Sequence, residues 1–515
     1  MTQSQSTGSR ADDATRIASG YAFTGQALEI GSVVLDNAAY PDARIRVPLG
    51  MMNRHGLIAG ATGTGKTKTL QLLAEQLSAA GVPVFLADLK GDLSGVAAPG
   101  EANAPVQQRA KETGWAWKPG ACPVELFSLT GARGAQIRAT VTSFGPLLLS
   151  KVLGLNDTQE SVLSLVFKYC DDRGLELYDF ADLRAALQHL AGPGAAELAR
   201  YVGMSKQTVG VLLREMVELE QQGALAFFGE PELELDDLLR SAPDGRGIVS
   251  VLELSDVQDK PALFSTFMIW LLAKLQSHLP ELGDTPKPKL VFFFDEAHLL
   301  FRDASKAFLD QVAQVVRLIR SKGVGVFFVT QSPKDVPADV LGQLGHRVQH
   351  ALRAFTPDEE KALRAAARTF PRSEFYDVER TLTSLGIGEA LVTVLGPDGV
   401  PTPPFATRLV PPGSRMGPLT DLELRGCLST PQVQKYAKAI DRDSAKEKLE
   451  REDAGATAAA SAPARAAAKG AAAPGASGVG ETIVEALNSP VARTIAGAIT
   501  RGLMGALLGP PRRRR

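Results

Sequence analysis

Three short stretches combine residue types that could do phosphoryl chemistry. The first is GATGTGKT, Gly60 to Thr67, a glycine-rich loop closed by a lysine and a hydroxyl residue. Glycines allow successive backbone N–H groups to turn inward around phosphate oxygens. A lysine at Lys66 neutralises the β and γ oxygens, and a Thr67 hydroxyl can ligate Mg²⁺. Gly60, Ala61, Thr62, Gly63, Thr64, Gly65, Lys66 and Thr67 are therefore the candidate cradle for ATP. An apolar stretch precedes the loop and a helical pattern follows, so the positive helix end adds to the anion site.

The second stretch is VFFFDEAHLLF, Val291 to Phe301. Its apolar run reads as a buried strand with Asp295 and Glu296 emerging at the carboxyl end, where α/β sheets bind ligands. Asp295 is expected to hold Mg²⁺, through water. Glu296 is expected to polarise an attacking water, which hydrolysis needs and simple group transfer does not. His298 has two readings, a residue lining the path from nucleotide to partner or a cap on the turn. The third stretch, FFVTQSP, ends a strand with Thr330 and Gln331, polar groups that could sense a γ-phosphate and pass its presence to the next loop.

These groups can meet only if the strands carrying them are parallel neighbours. Apolar runs of the buried kind recur at HGLIAG, VPVFLADL, GIVSVLEL, KLVFFFDE, VGVFFVTQ and HRVQHAL, with helical patterns between most of them. That alternation predicts an α/β fold with a mostly parallel sheet covered on both faces. GEALVTVL and FATRLV are expected to close it near Val410. Residues 55–130 and 241–410 form the expected ATPase core, and residues 131–240 read as a helical insertion. Residues 1–19 read as disordered and 20–54 as a short β-rich segment. Residues 411–453 read as linker and charged helix, and 454–480 as an Ala/Gly/Pro tract that need not fold.

The 515 residues are 44% hydrophobic, enough for a large core, and the net charge of −1 sets up no global basic field. Nucleic-acid contact would have to be local. Cys122, Cys170 and Cys427 lie far apart without metal spacing, which fits a reduced, cytoplasmic setting. The polar N-terminus does not read as a signal peptide, and no stretch of about 18 apolar residues occurs.

Asp295-Glu296-Ala297-His298 spells the name of a helicase group with two tandem cores and a Ser-Ala-Thr motif. This chain has no such motif, and only about 115 residues separate Glu296 from the expected linker, too few for a second core. In order, GATGTGKT, FFFDEAHLLF and IRSKGVGVFFVTQSP instead resemble the HerA/FtsK superfamily of P-loop ATPases, and within it the bacterial HerA-like proteins of the YjgR type. The resemblance covers roughly residues 25–410. It implies a RecA-like fold, a homo-oligomeric ring, usually a hexamer, and ATP hydrolysis that drives double-stranded DNA or protein through a pore. It also implies an arginine that reaches a neighbour's nucleotide, matched by Arg320 with Arg317 as second choice. A further arginine ahead of the P-loop strand is matched by Arg54, a candidate nucleotide contact. Archaeal HerA carries an N-terminal β-barrel, for which the 54 residues before His55 leave no room.

Two other readings stay open, an ATP-gated assembly platform and a membrane-recruited pump. The second rests on the C-terminus. Ser489-Pro490 starts a helix whose stripe of Val491, Ile495, Ile499, Leu503 and Leu507 runs up to Arg512–Arg515. Such a segment either docks on its own core or grips a protein partner or an anionic, peripheral membrane surface.

Overall fold

The computed structural model describes residues 4–198, 205–283, 285–302, 306–354 and 356–460. The expected C-terminal helix therefore lies outside the described residues. The chain divides into two units, Met1–Asp453 and Ala454–Arg515. All the strands named below lie in the first.

The strands are β1 (Ala27–Leu35), β2 (Ala38–Pro48), β3 (Gly56–Ala59), β4 (Val84–Asp88), β5 (Val124–Ser128), β6 (Ala135–Gln136), β7 (Val249–Glu253), β8 (Leu290–Phe294), β9 (Val324–Thr330), β10 (His346–His350), β11 (Glu389–Thr393) and β12 (Phe405–Leu409). They form one 12-stranded sheet in the order β2-β1-β12-β11-β10-β3-β9-β8-β4-β7-β5-β6. From β10 to β6 every pairing is parallel, and from β10 outward to β2 every pairing is antiparallel. This is the expected RecA-like α/β core, in which β9 is interposed between the P-loop strand β3 and the acidic strand β8. The periodicity does not announce β5 and β6. Glu125 interrupts the apolar run of β5, and it is tolerated there because Arg240 pairs with it.

The central strands are buried from end to end, which is why they read as unbroken apolar runs. Alternate residues still go to opposite faces. Phe85, Phe292, Phe294 and Phe328 join one core cluster; Leu86, Val291, Phe293 and Phe327 join the other. Within residues 131–240, read as a helical insertion, helices run between Val141 and Phe227, and their apolar sides merge with the first cluster through Phe144, Leu187 and Phe227. They cover a face of the sheet. On the other face lie α1 (Ser4–Ser19) and α2 (Lys66–Ala79), with Ile17, Leu70, Leu73 and Leu77 inside the second cluster.

Three expectations are corrected. Residues 1–19, expected to be disordered, include α1, which buries Ala14 and Ile17 beside Ile30 and Ile45. So narrow an apolar stripe has no helical signal of its own; the sheet supplies its partner. Residues 20–54 form no separate segment, because β1 pairs with β12 and so extends the common sheet. Residues 411–453 are not a linker: Gly413 and Ser414 N–H groups donate to Glu75, and Leu424, Val433, Tyr436 and Leu449 are buried. The helix Ala445–Ala460 also continues past Ala454, into the tract expected not to fold.

Two histidines bind the strand starts together. His55 Nδ1 accepts from Val326 N at 3.0 Å, which leaves Nε2–H to donate to Val316 O at 2.7 Å. His346 Nε2 lies 2.7 Å from Met51 O. Burial, helped by the charge of Arg54, pushes both rings down to about 4. A ring kept neutral when folded but protonated when unfolded stabilises fully above about pH 6.5, and that stability is lost as pH falls toward about 4. The stability advantage of wild type over His55→Gln is expected to shrink by about 2 kcal/mol between pH 7 and pH 5. Urea unfolding at the two pH values measures it; a constant gap would mean that the folded ring takes up the proton.

Candidate nucleotide and metal site

The parallel registers bring four strand ends to one edge. Ala59 is level with Thr330, Phe294 with Phe328, and Ala87 with Phe294. The next residues are Gly60, Gln331, Asp295 and Asp88. The start of the loop is pinned on both sides, Gly60 N to Thr330 O at 3.2 Å and Ala61 N to Ala351 O at 2.9 Å. Gly65 caps α2 at φ 116°, a left-handed backbone that other residues rarely adopt. At Gly60 a Cβ would sit 2.5 Å from His350 Cβ. Both glycines are therefore required by the path of the loop.

Lys66 is buried and donates to Gly60 O at 2.8 Å and Ala61 O at 3.2 Å. Burial lowers its pKa, while the charges of Glu296 and Asp295 oppose that shift. Thr67, one residue on, is partly exposed at the start of α2. Behind the loop, His350 is buried and kept neutral, its pKa pushed down to about 4 by burial and by Lys66, with Nε2 2.9 Å from Thr69 Oγ1.

Asp295 is buried. Its Oδ1 accepts from Glu296 N at 3.0 Å, and its Oδ2 has no hydrogen-bond partner. Burial first, then the charge of Glu296, pushes its pKa up to about 7. A buried carboxylate oxygen without a donor, beside a second acid, fits the needs of a divalent cation. Glu296 sits at φ 50°, a left-handed backbone that costs about 1–2 kcal/mol. Burial alone would raise its pKa, but the ion pair of Lys90 with Oε1, helped by His298 and Lys66, holds it below the usual carboxylate range. His298 Nδ1 lies 3.2 Å from Oε2, in ion-pair range without hydrogen-bond geometry.

Thr330 Oγ1 donates to Asp335 at 2.8 Å, which secures the end of β9. Gln331 is exposed and lines a cavity of about 480 Å³ with Ala61, Thr62, His298, Arg302 and Arg353. A second cavity, about 270 Å³ and mostly apolar, opens at the first turn of α2. Thr69, Val106, Leu409 and Pro412 line it, and Ile387 and Met416 stand at it with 73% and 41% of their surface exposed.

The loop, Asp295, Glu296, Thr330 and Gln331 thus meet at one edge. Arg54 and Arg320 do not join them. They precede β3 and β9, so the full length of those strands separates them from this chain's own P-loop. With Arg347 they line a cavity of about 480 Å³ that has no carboxylate in its lining. Arg317 is exposed on the helix Lys306–Ile319 and does not line that cavity. Sequence reasoning missed Lys90, Arg347 and the apolar cavity. Lys90 had one signal, a Lys-Gly-Asp directly after the buried strand VPVFLADL, but it gains meaning only once β4 and β8 are known to be neighbours.

The family model described as helicase HerA-like C-terminal matches residues 34–515. The chain belongs to that family. It is a P-loop ATPase of the HerA/FtsK type. Over 118 residues it is 33% identical to the "Probable helicase MJ1565" of Methanocaldococcus jannaschii, a match that covers 22% of this chain and 21% of that protein. The chain thus matches about a fifth of that relative's length. Among solved structures, the plasmid coupling protein TrwB in complex with ADP and Mg²⁺ is similar at 16% identity, with 76% of this chain and 91% of that one covered and a TM-score of 0.48. VirB4 of Thermoanaerobacter pseudethanolicus is similar at 15% identity, with 75% and 97% covered and a TM-score of 0.46. Among the described residues no helix is long and apolar enough to cross a membrane.

Two substitutions separate binding from chemistry in this HerA-like ATPase. Lys66→Ala removes the ammonium that bonds Gly60 O and Ala61 O inside the loop, and it is expected to weaken nucleotide binding. Glu296→Gln keeps the shape and removes the carboxylate charge; if Glu296 serves as the base, the variant is expected to bind ATP while turnover falls by about 10²–10⁴-fold. Titration calorimetry with a non-hydrolysable analogue and steady-state phosphate release measure the two; near-normal turnover in Glu296→Gln would remove Glu296 from the mechanism.

Proposed function

We propose that the chain is one subunit of a ring-shaped, ATP-driven motor acting on double-stranded DNA, with each active site shared between two neighbours. The single observation that carries this reading is the division of charge between the two edges of one sheet. The P-loop and the acids end β3 and β8, whereas Arg54, Arg320 and Arg347 surround a cavity at the starts of β3, β9 and β10. A chain that holds its phosphate cradle on one edge and Arg54, Arg320 and Arg347 on the other cannot bring those three arginines to its own nucleotide. A second copy can.

In this reading Gly60–Thr67 cradle the triphosphate. Thr67 and Asp295 would hold a Mg²⁺ ion, which would supply positive charge against the phosphates. Glu296 orients and polarises the water that attacks the γ-phosphorus. Gln331 contacts the γ-phosphate and reports its loss to the segment after β9. Arg320 of the neighbouring copy, helped by Arg54, stabilises the charge that develops during transfer, a contribution worth about 10³–10⁵ in rate in related chemistry. The apolar cavity beside α2 takes the base and ribose, since it is the concavity that touches the first turn after the loop. With net charge near neutral, DNA contact is local and confined to the ring's interior.

Two experiments test the reading. The first mixes Arg320→Ala subunits with Glu296→Gln subunits. Each alone is expected to be nearly inactive, and the mixture is expected to recover activity wherever an intact site faces an intact arginine. Strictly additive loss, or a monomer by light scattering with and without nucleotide, counts against a shared site. The second compares ATPase rates with and without double-stranded DNA. Stimulation supports the motor; an unchanged rate with nucleotide-dependent assembly supports an assembly platform instead.

A further inference from the structure

Resting on the reading of Glu296 as the group that polarises water, we infer that Lys90 is the positioning residue that holds it in its working orientation. Glu296 is buried, and its left-handed backbone is not one its own conformational preferences select, so something must restrain it. Within the protein its Oε1 is held by the Lys90 ammonium, and His298 stands off its Oε2. Lys66 and Asp295 are its other charged neighbours, and Lys66 is committed to the carbonyls of the loop. That leaves Lys90 as the strong contact to the carboxylate.

The segment carrying Lys90 is built to hold it still. Asp88, at the end of β4, accepts from Gly91 N at 2.8 Å and from Asp92 N at 3.3 Å with one oxygen. Its other oxygen accepts from Leu93 N at 2.7 Å, and Gln258 donates to Leu89 O at 2.7 Å. Asp88 itself is fully buried. The parallel register of β4 with β8 then sets Lys90 at the level of Glu296, since Ala87 is opposite Phe294 and Asp295 N donates to Ala87 O at 3.3 Å. A lysine on a tethered loop can aim one oxygen of a carboxylate while leaving the other lone pairs to a water. Lys90 is 46% exposed, so its removal leaves no buried cavity.

The test uses the full chain in its assembled form, with Lys90→Met, Lys90→Arg, Glu296→Gln and the double variant Lys90→Met/Glu296→Gln. Misplacing a reacting group by about 1 Å can cost on the order of 10²-fold. Lys90→Met is therefore expected to lower kcat roughly 10- to 100-fold, with little change in affinity for a non-hydrolysable ATP analogue. Lys90→Arg, which keeps charge and reach, is expected to recover most of the loss. In the Glu296→Gln background Lys90→Met is expected to cost almost nothing further, because its target is already gone. The inference is overturned if Lys90→Met leaves kcat unchanged or raises it, if affinity falls in step with kcat, or if the two losses multiply, since Lys90 would then act on the phosphates. If Glu296→Gln itself turns over normally, the role of Glu296 fails and the inference fails with it; slow Glu296→Gln beside normal Lys90→Met sinks the inference alone.

Discussion

Two acids on consecutive residues, both buried, repel each other and resist desolvation, and the site is organised around making that tolerable. Asp295 answers with a pKa pushed up to about 7 and keeps one oxygen without a hydrogen-bond partner. Glu296 answers with the Lys90 ion pair, aided by His298 and Lys66. Removing an ammonium would leave a buried charge without compensation, which is costly. The P-loop lysine and the lysine after β4 are in this sense one device. They come from different strands and face the same pair of carboxylates.

That device works only because the strands from β10 to β6 all run the same way. In a parallel sheet the carboxyl ends share an edge, so residues far apart in the chain arrive together without long loops. Interposing β9 between β3 and β8 puts a polar strand end between the phosphate cradle and the acids. The same geometry puts the strand starts on the other edge. There His55 and His346 are spent on backbone groups, and Arg54, Arg320 and Arg347 surround a cavity without an acid.

The helices between Val141 and Phe227 add bulk to one face, and none of their described residues lines the cavities at the loop. Their aromatic residues, Phe144, Phe180, Phe227 and Phe228, are buried in the same cluster as Phe85 and Phe292. They stiffen the sheet that aims the site. Residues 411–453 serve both faces: Gly413 and Ser414 tie to Glu75 on the P-loop helix, Leu419 and Leu424 join the second cluster, and Val433, Tyr436 and Leu449 join the first.

The P-loop, the acid pair and Gln331 were legible in the amino-acid sequence, because each is a local pattern, a glycine spacing or a polar residue ending an apolar run. The parallel strands were legible for a similar reason, since burial on both faces leaves runs such as LVFFF and VGVFFVT without alternation. What no local pattern could reveal was adjacency. Lys90 is one of many surface lysines until β4 lies beside β8. Arg347 belongs with Arg54 and Arg320 only when β10 lies beside β3. The helix Ser4–Ser19 reads as disordered because its narrow apolar stripe needs β1 and β2 to cover it, and 411–453 reads as linker and charged helix because a partner such as Glu75 lies far back in the chain. Local propensity records what a segment prefers alone, and burial against a distant sheet supplies the rest. The sequence by itself determined which groups could do the chemistry. Only the tertiary structure decided which of them share an edge, because strand order is set by packing across the whole core.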